Sequence, residues 1–247
     1  MTPIIAILAI GLLIVTLSYS LCYARAMNTR TDAITILAYG DSNTYGQKPD
    51  RSGRFDAATR WTGVMQAALG EQYYVIEEGL GGRTTDLEHP NPKKPSRNGL
   101  TYFKACLDSH SPLDIIVLML GTNDFKTSYN RSVEEIADTL DIYITDIKAS
   151  YDTSNATEPT ILLVSPPHMN QDAPLFYESM PTPGIYDDTS ILKSQQLAAH
   201  LKQLAARHAI SFFDAAAITQ AGEDGVHITA NSHHELGHAI TAIIKQR

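Results

Sequence analysis

Apolar positions along this chain follow two different periods. Five short runs are β-rich and apolar on consecutive positions: Ile34 to Tyr39 (ITILAY), Tyr73 to Glu77 (YYVIE), Asp114 to Leu120 (DIIVLML), Thr160 to Ser165 (TILLVS) and Ile210 to Phe213. Runs of that length without polar alternation predict strands buried on both faces. Between them, Trp61 to Leu69, Ser132 to Ala149, Ile191 to Ala206 and Ser232 to Ile244 repeat their apolar residues at helical spacing. Ser132, with Glu135 three residues later, forms the sequence pattern of a capping box at the start of the second of these helices. Strands buried on both faces and alternating with helices predict one parallel sheet of five strands with helices on both sides, a three-layer α/β/α sandwich. No internal repeat or low-complexity stretch interrupts the order.

The first 30 residues stand apart from the domain expected over 31–247. From Pro3 to Ala24 the chain is almost wholly apolar and uncharged, and about 22 residues of helix would cross a hydrocarbon layer roughly 30 Å thick. Three readings compete: an uncleaved membrane anchor, a secretory signal with Ala24-Arg25-Ala26 as the small-x-small cleavage pattern, or an over-long start preceding Met27. The first two place the enzyme at a membrane or outside the cell, with residues 3–24 as the membrane contact, and the third places it in the cytoplasm. Arg25 and Arg30 after the apolar run favour the inside, against the export expected of enzymes behind such a segment.

Charge narrows the partners. With 19 basic and 27 acidic side chains the formal charge is −8, and no basic stripe with interleaved aromatic residues is visible, which argues against nucleic acid. Cys22 lies in the apolar leader, so no disulfide framework with Cys106 is expected, and Cys106 reads as a small buried residue. The oligomeric state is open, a homo-oligomer included.

In open parallel sheets ligands collect beyond the carboxyl ends of the strands, and chemistry-bearing residues stand there. The first strand runs into Gly40-Asp41-Ser42-Asn43-Thr44, the second into Gly79-Leu80-Gly81-Gly82-Arg83-Thr84-Thr85, and the third into Gly121-Thr122-Asn123-Asp124. Near the C-terminus, Asp224-Gly225-Val226-His227 sets a carboxylate three residues before an imidazole. Together they supply an acyl-transfer site. Ser42 is the candidate nucleophile, His227 its base, and Asp224 the group that fixes the imidazole tautomer. The Ser42 N–H, the Gly82 N–H and the Asn123 amide are candidate oxyanion donors, each worth roughly 3 kcal/mol in the transition state.

The four blocks GDSNT, GLGGRTT, GTND and DGVH stand in the order of those of the SGNH, or GDSL-type, hydrolases, and the resemblance covers roughly Ile34 to Ile244. RWTGV at Arg60 to Val64, VIEEGLGGRTT and VSPP at Val164 to Pro167 look most like the aryl esterase and acyltransferase branch. The resemblance implies a flavodoxin-like sandwich, metal independence, and the same roles for Ser42, Gly82, Asn123, Asp224 and His227. It implies hydrolysis of small aryl or short-acyl esters through an acyl-serine, with acyl transfer to an alcohol or peroxide as an extension. Carbohydrate O-deacetylation, or lysophospholipid or thioester hydrolysis, is the alternative on the same site. Asn43 and Tyr45 stand where relatives of that branch carry leucine and tryptophan, so a more polar acyl pocket is expected.

Other residues carry secondary expectations. Asp41 and Asp124 read as braces of their loops, and Arg83 as a structural ion pair rather than a substrate contact. The long segment His168 to Asp188 reads equally as a pocket wall or a packed surface loop. His234-Glu235-Leu236-Gly237-His238 matches the zinc-protease pattern and makes a metallopeptidase the distant alternative. None of the nine residues after His238 can supply a third ligand, and the helical period turns His234 and His238 away from the apolar stripe. A non-catalytic binding module would not need to keep every reactive residue type in all four blocks, and no serine has the GxSxG frame.

Overall fold

The computed structural model describes residues 33–89, 91, 93–154, 157–177 and 185–246. The apolar segment 3–24 lies outside them, and among the described residues no helix is long and apolar enough to cross a membrane.

Five parallel strands form one sheet: β1 (Ile34–Gly40), β2 (Tyr73–Gly79), β3 (Ile115–Met119), β4 (Thr160–Ser165) and β5 (Ser211–Asp214), in the order β2-β1-β3-β4-β5. The helices are α1 (Ser42–Tyr45), α2 (Trp61–Leu69), α3 (Gly99–His110), α4 (Val133–Ser154), α5 (Asp188–His208) and α6 (Ala230–Lys245). Successive strand residues point to opposite faces, and each face buries its own core. Leu37, Tyr39, Ile116, Leu118, Ile161 and Leu163 pack with residues of α3, α4 and α5, among them Phe103, Tyr143 and Leu201. Ile36, Ala38, Val117, Met119, Leu162 and Val164 pack with Trp61 and Met65 of α2 and Leu236, Ile240 and Ile244 of α6. This is the expected three-layer α/β/α sandwich.

Caps set the helix starts. The Ser132–Glu135 box forms as expected, Ser132 N–H donating to Glu135 Oε2 at 2.8 Å and Glu135 N–H to Ser132 Oγ at 3.2 Å. Helix α5 begins three residues before its expected start because Asp187 caps it in a box with Ser190. Helix α3 was not expected. Asn98 caps it by accepting from Thr101 N–H at 3.0 Å, and Phe103, Cys106 and Leu107 are its buried face.

Strand order reverses between β1 and β3, since β2 lies on one side of β1 and β3 on the other. A crevice opens beyond the strand ends at such a switch point. The Ser42 turn follows the strand that sits there.

Candidate active site

β1 stops at Gly40 because α1 folds back over it. A Cβ at Gly40 would lie 2.0 Å from Thr44 Oγ1 and 2.7 Å from the Met119 carbonyl oxygen, so no other residue fits. Asp41 caps α1 by accepting from the Asn43 N–H at 2.9 Å, which leaves the Ser42 N–H outside the cap. Burial pushes the Asp41 carboxyl up from its ordinary range, and Asp41 serves the turn as expected.

The loop after β2 is bolted to the end of β1. Arg83, almost fully buried, donates to the Gly40 carbonyl at 2.8 Å and to the Glu78 carbonyl, and its guanidinium lies 4.1 Å over the Tyr39 ring. Glu78 sits 3.9 Å away as a loose ion pair, so Arg83 is structural. Gly82 has φ +82°, a left-handed conformation that a side chain strains. Arg97 Nε holds the neighbouring Gly81 carbonyl at 2.7 Å.

The turn after β3 carries Asn123. Its Nδ2 donates to the Arg83 carbonyl at 3.0 Å, leaving a second N–H, while Oδ1 accepts from Lys126 Nζ at 2.9 Å. Next to it, Asp124 is fully buried and accepts from the Thr85 hydroxyl at 2.6 Å and the Thr85 N–H at 3.0 Å. Burial pushes the Asp124 carboxyl up to about 7 against those bonds and the nearby Arg131. Asp124 thus ties two site loops together, the brace expected of it.

The last block forms a compact turn. Asp224 is fully buried; its Oδ2 lies 2.6 Å from His227 Nδ1, and its Oδ1 accepts from the N–H groups of Val226 at 3.0 Å and His227 at 2.9 Å. Burial alone would raise this carboxyl, but the hydrogen bond and charge of His227, with the two N–H groups, hold it below the ordinary carboxylate range. With Nδ1 facing Asp224, Nε2 is the ring nitrogen left to act on a ligand.

Asn43 corrects one expectation. Its side chain is fully buried and brackets His227, donating to the Val226 carbonyl at 3.3 Å and accepting from the Ile228 N–H at 3.1 Å. Tyr45 lies under the Arg54 guanidinium, 4.5 Å from its ring centre. Neither lines the cavity, so the leucine and tryptophan positions do not set its polarity. Asn43 does something sequence reasoning missed: it fastens the nucleophile's helix to the histidine's turn.

Ser42, Gly82, Asn123 and His227 converge on one cavity of about 330 Å³, with Asp224 behind His227. Gln47, Arg51, Gly81, His89, Lys94, Arg97, Lys126, Ile185, Tyr186 and Val226 complete its lining. Ile185 and Tyr186 make the end of the long 168–188 segment a pocket wall, while Met169, Ala173 and Phe176 of the same segment are buried in the core. No local motif announces the cationic residues of this wall.

His234, Glu235 and His238 lie exposed on α6, opposite buried Leu236 and Ile240. Among the described residues, the metal-ligating side chains that converge are Glu78, Cys106 and His110, on another part of the molecule. There His110 Nε2 lies 3.0 Å from Glu78 Oε1, and burial pushes the Cys106 thiol up to about 12.

A serine, an imidazole held by a buried carboxylate, and amide donors around one cavity are the equipment of a serine ester hydrolase. The chain belongs to the GDSL-like lipase/acylhydrolase family, whose model matches residues 38–234. It is 36% identical to an aryl esterase from M. smegmatis, with a TM-score of 0.77 over 87% of this chain and 99% of that one. It is also 36% identical to a carbohydrate acetylesterase from Sinorhizobium meliloti, with a TM-score of 0.76 over 86% of this chain and 98% of that one. A lipase/acylhydrolase from Enterococcus faecalis shares the fold at 20% identity and a TM-score of 0.60, over 86% of this chain and 96% of that one. No curated protein matches the chain.

Proposed function

We propose that the chain hydrolyses small carboxylic esters through an acyl-Ser42 intermediate. His227 takes the Ser42 proton as the hydroxyl oxygen attacks the ester carbonyl, and Asp224 stabilises the imidazolium. The Ser42 N–H, the Gly82 N–H and the second Asn123 N–H receive the oxyanion. The C–O bond to the alcohol breaks as His227 returns the proton to the leaving oxygen. Water, activated by the same imidazole, then releases the acid; an alcohol or hydrogen peroxide in its place gives acyl transfer. The chemistry needs no cofactor.

The observation that carries this reading is the shared cavity of Ser42, Gly82, Asn123 and His227, with a 2.6 Å Asp224–His227 contact behind it. About 330 Å³ favours short acyl groups and small alcohols over long lipids. Acetylated carbohydrate is the second reading, favoured by the likeness to the Sinorhizobium acetylesterase.

The test is turnover of p-nitrophenyl acetate, of longer acyl homologues and of acetylated sugars. Ser42→Ala is expected to abolish turnover, and Asn123→Ala to lower kcat roughly a hundredfold with little change in KM. Strong chelation should leave the rate intact. Turnover surviving in Ser42→Ala would refute the assignment.

A further inference from the structure

The cavity carries a charge opposite to that of the protein. Four cationic side chains line it, Arg51, Lys94, Arg97 and Lys126, and among the described lining residues none is a carboxylate. The chain as a whole has a formal charge of −8, so this is a local arrangement working against the global field.

The charges are not cancelled by ion pairs. Among the described residues, no acidic side chain lies within 4.0 Å of the cationic nitrogens of any of the four. Arg97 spends its hydrogen bonds on the Gly81 and Pro95 carbonyls at 2.7 and 2.8 Å, and Lys126 on the Asn123 amide oxygen at 2.9 Å. These partners are neutral and leave the positive charge in place. Arg51 and Lys94 stand exposed at the rim.

The cations also act on one another. Lys126 is held down to about 8 by burial and by Lys94 and Arg97, against the opposing pull of buried Asp124 and Asp41. His89, on the same wall, is lowered by burial and by Lys126, Lys94 and Arg97. Packing like charges around an apolar-walled hollow raises the local concentration of anions.

We propose that the substrate of this site is an anionic ester, one whose acyl or alcohol part carries a carboxylate or a comparable fixed negative charge that Arg51, Lys94, Arg97 and Lys126 receive while the ester carbonyl lies at Ser42. The proposal rests on the esterase reading of the same cavity and specifies its substrate class. It predicts a preference that the net charge of the protein would reverse, which separates it from non-specific attraction.

The experiment compares twins that differ only in charge. On the alcohol side these are para-acetoxyphenylacetate and its neutral amide, para-acetoxyphenylacetamide. On the acyl side they are the para-nitrophenyl half-ester of adipic acid and the corresponding adipamide ester. At low ionic strength at least one anion is expected to exceed its twin in kcat/KM by roughly tenfold or more, mainly through KM. The side that shows the preference locates the charge. The advantage is expected to fall towards unity at about 0.5 M salt, where screening shortens to a few ångströms.

Arg51→Gln should lower the anion-to-neutral ratio several-fold, and Lys94→Glu should bring it to unity or below. Both residues are exposed, so the fold should tolerate the changes. Equal kcat/KM within both pairs at low salt, or a ratio indifferent to both variants, would overturn the proposal. That failure is distinct from failure of the esterase reading, in which Ser42→Ala would still turn over the neutral esters.

Discussion

Asp224→Asn tests the orientation of the imidazole with little other disturbance. In the native site Oδ1 accepts from two backbone N–H groups and Oδ2 faces His227 Nδ1 at 2.6 Å. An asparagine must keep its oxygen at the Oδ1 position, because an NH2 there would confront two donors. Leaving even one buried donor unpaired costs about 1–3 kcal/mol, so the reversed amide is a minor species. The NH2 group then points at Nδ1, which has to accept. The proton moves to Nε2, the nitrogen needed to take the Ser42 proton. A histidine in that tautomer is the wrong base, and kcat is expected to fall about 10⁴-fold, or roughly 5 kcal/mol in the barrier. Both backbone bonds survive and the charge-assisted bond to Nδ1 is exchanged for a neutral one, so Tm should drop by no more than about 5 °C. Initial rates on p-nitrophenyl acetate beside thermal unfolding by circular dichroism provide the measurement. A folded variant within about tenfold of the wild-type kcat would refute the tautomer argument.

Gly82→Ala separates backbone conformation from crowding. A Cβ there meets only Arg97 Nε and Cδ at 3.6 and 3.8 Å, an ordinary contact, so the cost is the φ of +82°. About 1–2 kcal/mol of strain would re-aim the N–H, lowering kcat roughly tenfold to a hundredfold for a Tm change of a few degrees; an unchanged kcat would remove Gly82 from the oxyanion donors. His233 sets an acid limit on stability. It is fully buried, accepts from the Trp61 N–H at 3.3 Å, and burial, with His227 and His234 nearby, pushes it down to about 3 from an ordinary 6.5. The unfolded chain therefore binds the extra proton first. The stability that neutral His233 contributes is complete above pH 6.5 and is lost as the pH falls towards about 3, by on the order of 5 kcal/mol. His233→Asn keeps an acceptor for Trp61 and should flatten that slope in urea titrations between neutral and acid pH; an unaltered slope would show that other groups govern the acid limit.

The parts of the molecule that were legible in the sequence share a physical cause. Strands buried on both faces leave unbroken apolar runs, and β4 and α2 fall on the residues that periodicity assigns. Three of the four site blocks could be read because each follows a strand end, where the chain turns sharply and reactive groups emerge. Helix α3 escaped although Phe103, Cys106 and Leu107 have helical spacing. Its start, Asn98-Gly99, reads as a turn, and the polar, proline-containing stretch before it suggests a continuing loop. Asn43 was misjudged for a different reason. Position beside a nucleophile suggests contact with substrate, whereas its hydrogen bonds reach Val226 and Ile228, far along the chain.

The cationic cavity shows most clearly what a linear reading loses. A search for basic stripes finds none, because Arg51, Lys94, Arg97 and Lys126 come from three loops separated by whole elements, within a chain whose formal charge is −8. Only assembly of the sheet brings those loops to one rim, since each follows a different strand: β1 for Arg51, β2 for Lys94 and Arg97, β3 for Lys126. The same topology that gathers Ser42, Gly82 and Asn123 therefore gathers the charge around them. Catalytic donors near the strand ends are constrained by the reaction, whereas side chains further out along those loops are free to fit a particular substrate. On that division of labour, altering Arg51 and Lys94 should change which ester is chosen far more than how fast a bound one reacts.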